Sequence, residues 1–310
     1  MLSRMAQRVF WMARYLERAE STARILNTFS QLRMDLPKGT ELPWKMLPDI
    51  FGSAEALIGR KDSYSESVVL EFLIARLGNP SSLRASTAMA RENARTTRHL
   101  LSKELWELIN ELNLYAAERG EKSISRKNRF EYLIEIANRC QTINGLVMST
   151  QIRDDAHAFF GLGQLIERVD ITCRVVSVMS LAIESRSKSN PGIDSLIWAS
   201  LLESLSSLNA YRQLIGPMVE PKEAVNLIVL HPSLPRSMIF CLNVMKKTFS
   251  RLRKSDDFIV RIDEITLDLD YFDADQSSPA EIAERFLILQ SCSNDLYNKL
   301  SRIWSIPKHP

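Results

Sequence analysis

Apolar residues return every three or four positions along most of this chain, and nowhere do they alternate for long as in a strand. Val9, Met12, Leu16, Ala19, Ala23 and Leu26 form one stripe, and Phe159, Leu162, Ile166, Val169, Cys173 and Val176 form another, which is the spacing of amphipathic helices. The first helix is predicted from about Ser3 to Leu32, ahead of the Pro/Gly loop at Asp35–Gly39, and a second begins near Trp44. A third is predicted after Ser63, whose hydroxyl with Glu66 reads as a capping box, and it ends at Gly78-Asn79-Pro80. One long amphipathic segment follows from Ser81 to about Glu118, then a helix from about Lys127 to Met148 and another from near Asp154. Ser278-Pro279-Ala280-Glu281 combines a Ser cap, Pro at the first helical position and an N3 acid, opening a closing helix to about Ile303.

The two stripes belong to copies of one segment. Phe10 and Phe160, Leu16 and Ile166, Glu17 and Glu167, Arg18 and Arg168, Glu20 and Asp170, Thr22 and Thr172, and Arg24 and Arg174 all lie 150 residues apart. Trp44-x-x-Leu47 returns as Trp198-x-x-Leu201, and Asn79-Pro80-Ser81 as His231-Pro232-Ser233, at intervals of 154 and 152. Three markers in one order at nearly one interval predict an internal duplication. The expected fold is all-α: a helical bundle forming a single domain over 1–310, built from halves of about 1–150 and 151–310.

Composition narrows the class. In 310 residues, 45% hydrophobic and 25% charged with 10 Gly and 12 Pro, the chain has the profile of an ordered, helix-rich globular protein. Lys and Arg number 40 against 37 Asp and Glu, a net charge of +3, so any polyanion-binding field has to be local and no nucleic-acid partner is expected. The dense basic run Lys246, Lys247, Arg251, Arg253, Lys254 reads as a solvated helix end. Cys140, Cys173, Cys241 and Cys292 are unevenly spaced without a Cys-x-x-Cys, which points away from disulfide or zinc frameworks and towards a reducing cytoplasm. No uncharged run reaches the roughly 20 residues of a membrane span, and Arg4, Arg8 and Arg14 interrupt any signal-peptide core.

Metal and nucleotide chemistry find little footing. Asp154-x-x-His157 lacks the second Glu-x-x-His that a di-iron bundle needs, and Asp268-x-Asp270 with Asp273 and Asp275 reads as a solvated acidic turn rather than a calcium loop. His99, His231 and His309 read as surface or capping residues, and Trp11, Trp44, Trp106 and Trp198 as core. With no Gly-rich phosphate loop and no Gly-x-Ser-x-Gly, no cofactor is expected and ATP would be handled by a partner.

What stands out is charge on helix faces. Arg14, Glu17, Arg18 and Ser21 flank the first stripe, and Gln164, Glu167 and Arg168 the second, where a pseudo-twofold packing could form reciprocal Glu–Arg pairs. Arg91, Glu92, Asn93 and Arg95 are followed by Arg98, so three arginines share one face and need an anionic answer. At the interval of 152 the second half has Asn243, Val244, Met245 and Lys247 there, which makes any site asymmetric.

Phe10–Glu20, Gly163–Asp170 and Ala90–Arg95 together resemble the bacterial Alpha-E domain family, all-helical proteins described by a Glu-Arg motif, and the resemblance covers nearly the whole chain. Leu234-Pro235-Arg236-Ser237 resembles a further family element, which adds Arg236. The resemblance implies partners rather than a reaction: circularly permuted ATP-grasp ligases and transglutaminase-like proteins, in peptide or amide-bond synthesis and processing. The candidate ligand site is then Arg14, Glu17, Arg18, Glu20, Arg24, Arg91, Glu92, Asn93, Arg95, Arg98, Glu167, Arg168, Asp170, Arg174 and Arg236. If these converged, nine bases against five acids would leave room for the carboxylate or phosphate of a peptide or amino acid. Two other readings stay open: Glu17 or Glu167 as general base of an acyl- or amide-transfer enzyme, and an ion-pair network that only sets helix register.

Overall fold

The computed structural model describes residues 3–40, 42–58, 62, 64–186, 190–252, 256–274 and 276–304. Among these residues there are thirteen α-helices and no strand. They are α1 (Ser3–Asp35), α2 (Met46–Ile50), α3 (Glu66–Ile74), α4 (Leu83–Thr96), α5 (Lys103–Arg119), α6 (Arg126–Thr150) and α7 (Asp155–Glu184), then α8 (Pro191–Ser204), α9 (Leu208–Leu214), α10 (Pro221–Leu230), α11 (Met238–Phe249), α12 (Asp256–Asp270) and α13 (Pro279–Trp304). No helix of the described residues is long and apolar enough to cross a membrane.

Contacts divide the chain into two compact units, one of Met1–Asn27, Pro43–Arg168 and Leu300–Pro310, the other of Thr28–Leu42 and Val169–Lys299. In the first, α4, α5 and α6 pack as consecutive antiparallel neighbours. Arg91 of α4 reaches Asn110 of α5 and Arg84 reaches Glu121 in the 3-10 turn after α5, while Tyr115 stacks on Tyr132 at 5.6 Å across α5 and α6. The last turn of α13 returns to this unit, with Trp304 edge-on to Phe159 at 4.9 Å. In the second unit α8 to α12 pack through α10, Phe249 stacks on Phe258 at 4.3 Å, and α13 runs antiparallel to α12, Arg285 meeting Asp268 and Arg261 meeting Asp295.

Both predicted stripes lie in the core, every one of their twelve residues buried. Burial goes further than the stripes: α1 is covered on nearly all sides from Val9 to Ala23, taking Glu17, Glu20, Ser21 and Thr22 inside with it. Ser278 and Glu281 close the expected reciprocal capping box, Glu281 N to Ser278 Oγ at 3.3 Å and Ser278 N to Glu281 Oε2 at 2.7 Å.

Several expectations need correction. The segment from Ser81 to Glu118 is two helices, not one: Thr97 leaves the helical region, a 3-10 turn spans Arg98–Leu100, and Ser102 caps α5 by accepting Leu105 N at 3.1 Å. Helix α3 ends at Ile74, short of Gly78, and starts at Glu66 with Ser65 as its N-cap residue; Ser63 lies outside the described residues, as do Arg253, Lys254, Asp275 and His309. Asp268 and Asp270 sit in the last turn of α12 rather than in a loop. Trp106 and Trp44 are half-buried, whereas Trp11 and Trp198 are core.

The helix starts of α4 and α11 also shift the expected repeat interval. Ser82 Oγ accepts Ala85 N and donates to Arg76 O, while Ser237 Oγ accepts Phe240 N and donates to His231 O. Likewise Ser86 donates to Pro80 O and Cys241 to Pro235 O. These pairs lie 155 residues apart, so the caps match Pro80 with Pro235, and Arg91 with Lys246 rather than Asn243.

Backbones come close where α1 crosses α7. A Cβ on Gly163 would stand 2.3 Å from Phe10 O and 3.1 Å from Ala13 Cβ, whereas one on Gly161 would meet nothing within 4 Å. Gly163→Ala is therefore expected to lower unfolding free energy by about 2–3 kcal/mol through forced separation of the helices, and Gly161→Ala to raise it by about 0.5–1 kcal/mol through helix propensity. Urea denaturation of both variants checks this; equal effects would remove the close approach as a constraint.

Candidate functional site

Downstream of that crossing, α1 and α7 run in the same direction and exchange charged side chains. Arg18 lies as a fork on Glu167, Nε to Oε1 and Nη2 to Oε2 at 3.0 Å, and Arg14 donates from Nε to Oε2 at 2.7 Å. The reciprocal fork joins Arg168 to Glu17, Nε to Oε1 at 2.9 Å and Nη2 to Oε2 at 3.0 Å. Both carboxylates are sealed, with side-chain exposures of 0% for Glu17 and 4% for Glu167. The planar guanidinium groups also cover rings: Arg14 lies over Trp11 at 4.8 Å and Arg18 over Tyr15 at 5.5 Å, contacts that desolvation strengthens.

Burial pushes the Glu167 carboxyl up, and the charges and hydrogen bonds of Arg18 and Arg14 more than reverse this, holding it at about 2. Burial also raises the Tyr15 hydroxyl, against the lowering influence of Arg18 and Arg14. At neutral pH the site thus holds an ionised, weakly basic carboxylate beside a neutral phenol.

One turn on, Glu20 accepts Arg24 Nε at 3.1 Å, Gln141 Nε2 at 3.5 Å and Asn144 Nδ2 at 3.4 Å. Asn144 in turn accepts Gln164 Nε2 at 2.7 Å. Gln164 occupies the position 150 residues after Arg14, and it is directed to α6 instead of to a carboxylate.

The arginines of α4 behave differently. Arg95 is exposed and forks onto Glu92 at 2.9 and 2.8 Å, and that bond holds the Glu92 carboxyl below its usual range. Asn93 is buried, donates to Met89 O at 2.9 Å, and accepts Arg8 at 3.4 Å. Arg91 donates to the neutral Asn110 at 2.6 Å with its guanidinium 5.6 Å from the Trp106 ring centre, and Arg98 lies 5.4 Å from the same ring. No carboxylate of a described residue forms an ion pair with Arg91 or Arg98. These two guanidiniums flank one half-buried indole and keep N–H edges for an outside acceptor.

Asp170, Arg174 and Arg236 belong to the second unit. There Asp170 accepts Arg174 at 2.9 Å and Gln290 at 3.0 Å, and Arg236 is buried just before the Ser237 cap of α11. Sequence reasoning missed Arg8, Gln141, Asn144 and Asn110, and misplaced Trp106. Reading Ser102 as a cap would have folded α5 back on α4 and set Trp106 beside the arginines. Among the described residues no group of three or more His, Cys, Asp or Glu is placed to hold a metal ion.

Compared with known proteins, residues 1–304 match the model of a family described as a predicted alpha-helical domain with a conserved ER motif. No curated protein and no solved structure matches the chain.

The depressed Glu167 pKa has a signed consequence. Above its ordinary value of 4.5, the carboxyl is ionised folded or unfolded and the ion pairs contribute fully. Below it the unfolded carboxyl takes up a proton first, so stability falls as pH drops from 4.5 to about 2. That loss is on the order of 3 kcal/mol. Glu167→Gln is expected to destabilise the neutral protein by roughly 3–5 kcal/mol, because two buried guanidiniums lose their partner, and to flatten this part of the pH profile. Denaturation midpoints across the window check it; an unchanged slope would mean that Glu167 is not the group responsible.

Proposed function

The chain belongs to the Alpha-E family, and from that premise we propose that it is a binding protein without a reaction of its own. The Glu–Arg contact of α1 and α7 holds the scaffold, and the α4–α5 hairpin takes a carboxylate or phosphate. The observation that carries this reading is the contrast between the two arginine sets. Arg14, Arg18 and Arg168 are hydrogen-bonded to sealed protein carboxylates, whereas Arg91 and Arg98 form no ion pair with a carboxylate of a described residue, Arg91 donating to the neutral Asn110 and both lying near the Trp106 indole. Guanidinium forks match carboxylate and phosphate oxygens, and the indole restrains both side chains, lowering the entropy lost when an anion is gripped.

Chemistry by the chain alone has less support. A carboxylate held at about 2 is a poor general base near neutral pH, where a useful base titrates close to the working pH. Burial keeps Cys140 and Cys173 as thiols, far above the ordinary thiol range, and the thiolate is the nucleophilic form. In this reading the protein works in the cytoplasm and presents a carboxylate-bearing peptide or amino acid to an ATP-grasp-type ligase, with a transglutaminase-like protein in the same pathway.

Titration with inorganic phosphate and, separately, with triglutamate, followed by calorimetry and tryptophan fluorescence, tests the site. Saturable binding is expected, weakened at least about tenfold by Arg91→Gln or Arg98→Gln, the worth of one charged hydrogen bond. The unfolding midpoint of Arg98→Gln should stay near wild type because that side chain is exposed, and that of Arg91→Gln should fall only as far as the loss of its hydrogen bond to Asn110, about 1 kcal/mol, requires. If neither anion binds, or the variants bind as well as wild type, the hairpin is no anion site and the charges serve the fold alone.

A further inference from the structure

Helix α12 is apolar on two opposite sides. Phe258, Ile262, Ile265 and Leu269 face the core and are buried, yet Val260, Leu267 and Tyr271 are 58%, 57% and 80% exposed. These three, with Glu264 between them, stand at steps of four, three and four, which is a single stripe along a helix. Ile288 of α13, 46% exposed, lies one turn beyond Arg285, the residue that joins α13 to Asp268 of α12. Single exposed apolar residues are ordinary, but three aligned along α12 and the turn that follows it, interrupted by Glu264, make a face suited to a partner.

The charges around the stripe say what covers it. From Asp256 to Asp273 there are seven acidic residues and one basic, Arg261. Asp263, Glu264 and Asp268 are answered by Lys246, Arg261 and Arg285, while Asp256, Asp257 and Asp270 stay exposed. In a chain whose net charge is +3, this is a local field of the opposite sign. An anionic membrane surface would be repelled by it. A helix with an apolar face between lysine or arginine flanks would be attracted, and would pack its ridges against the convex stripe.

We propose that the α12 stripe of Val260, Leu267 and Tyr271, with its acidic flanks, is a docking surface for a basic amphipathic helix of a partner protein. This stands apart from the anion site on α4 and α5 and does not depend on it.

The test uses the full chain and two labelled synthetic peptides. One is helical, with leucines at alternating steps of three and four and lysines on both flanks; its twin has glutamate for every lysine. Fluorescence anisotropy is expected to show the basic peptide binding at least about tenfold more tightly than its twin, and weakening as salt is raised. The triple variant Val260→Gln, Leu267→Gln, Tyr271→Gln should lose that binding with its unfolding midpoint preserved, and Arg91→Gln should leave it intact. Equal affinity for both peptides, no affinity for either, or undiminished binding by the triple variant would each overturn the proposal. So would a concentration-dependent dimer in sedimentation that the triple variant abolishes, since the face would then belong to a second copy of the chain.

Discussion

The reciprocal Glu–Arg contact between α1 and α7 is the constraint from which most of the first unit follows. Backbones approach only where both helices lack bulk, and Ala13 and Gly163 supply that place. Residues just beyond a close crossing are shut away from water, so long charged side chains there have to be answered within the protein. Arg18 with Glu167 and Arg168 with Glu17 do so as mirror-related forks. Two buried ions taken from water recover little net free energy from each other. Their value lies in specificity: slipping one helix by four residues would set Glu17 against Gln164 or Thr172 and leave buried charge unanswered, so the charges favour one register where an apolar seam would permit several.

A single departure from reciprocity explains how the network reaches further. Were Gln164 an arginine, it would answer Glu17 as Arg14 answers Glu167. Being an amide, it turns to Asn144 at 2.7 Å, and Asn144 also donates to Glu20. The neutral position thereby ties α6 into the same polar core, while Arg14 and Arg18 together hold the Glu167 carboxyl at about 2. Residues 10–18 and 160–168 meet in a near-twofold relation, and the caps at Ser82 and Ser237 make the same hydrogen bonds.

Much of this was legible in the chain and some of it was not, for definite reasons. Both apolar stripes and the closing capping box follow from spacing and from cap chemistry, which act over a few residues. The pairing of Glu17 with Arg168 could be anticipated because a repeated motif that meets itself has to pair reciprocally. The break at Thr97–Ser102 was hidden because Leu101 and Leu105 continue the helical rhythm across it; only the Ser102 cap, a local hydrogen bond to Leu105 N, marks the turn. Missing that turn left Trp106 away from the arginines of α4. Asn144 and Gln141 carried no signal at all, since an amide on a long helix looks solvated until a carboxylate is found opposite it.

The distribution of charge carries a final step. A net charge of +3 describes no surface of this molecule. In the first unit the charges of Arg8, Arg91 and Arg95 act on Glu92 while Arg98 lies over Trp106, and in the second, α12 bears acids beside exposed apolar side chains. Opposite fields of this kind cancel in the sum while each acts at short range, within a Debye length of about 8 Å at physiological salt. On the proposed reading, the two fields would serve different guests, a small anion at one place and a cationic helix at the other. The buried ion pairs keep their own charges out of both fields, because a carboxylate and guanidinium already joined present little charge to solvent. Sealing the Glu–Arg pairs therefore leaves the surface fields to the unburied charges of α4 and α12.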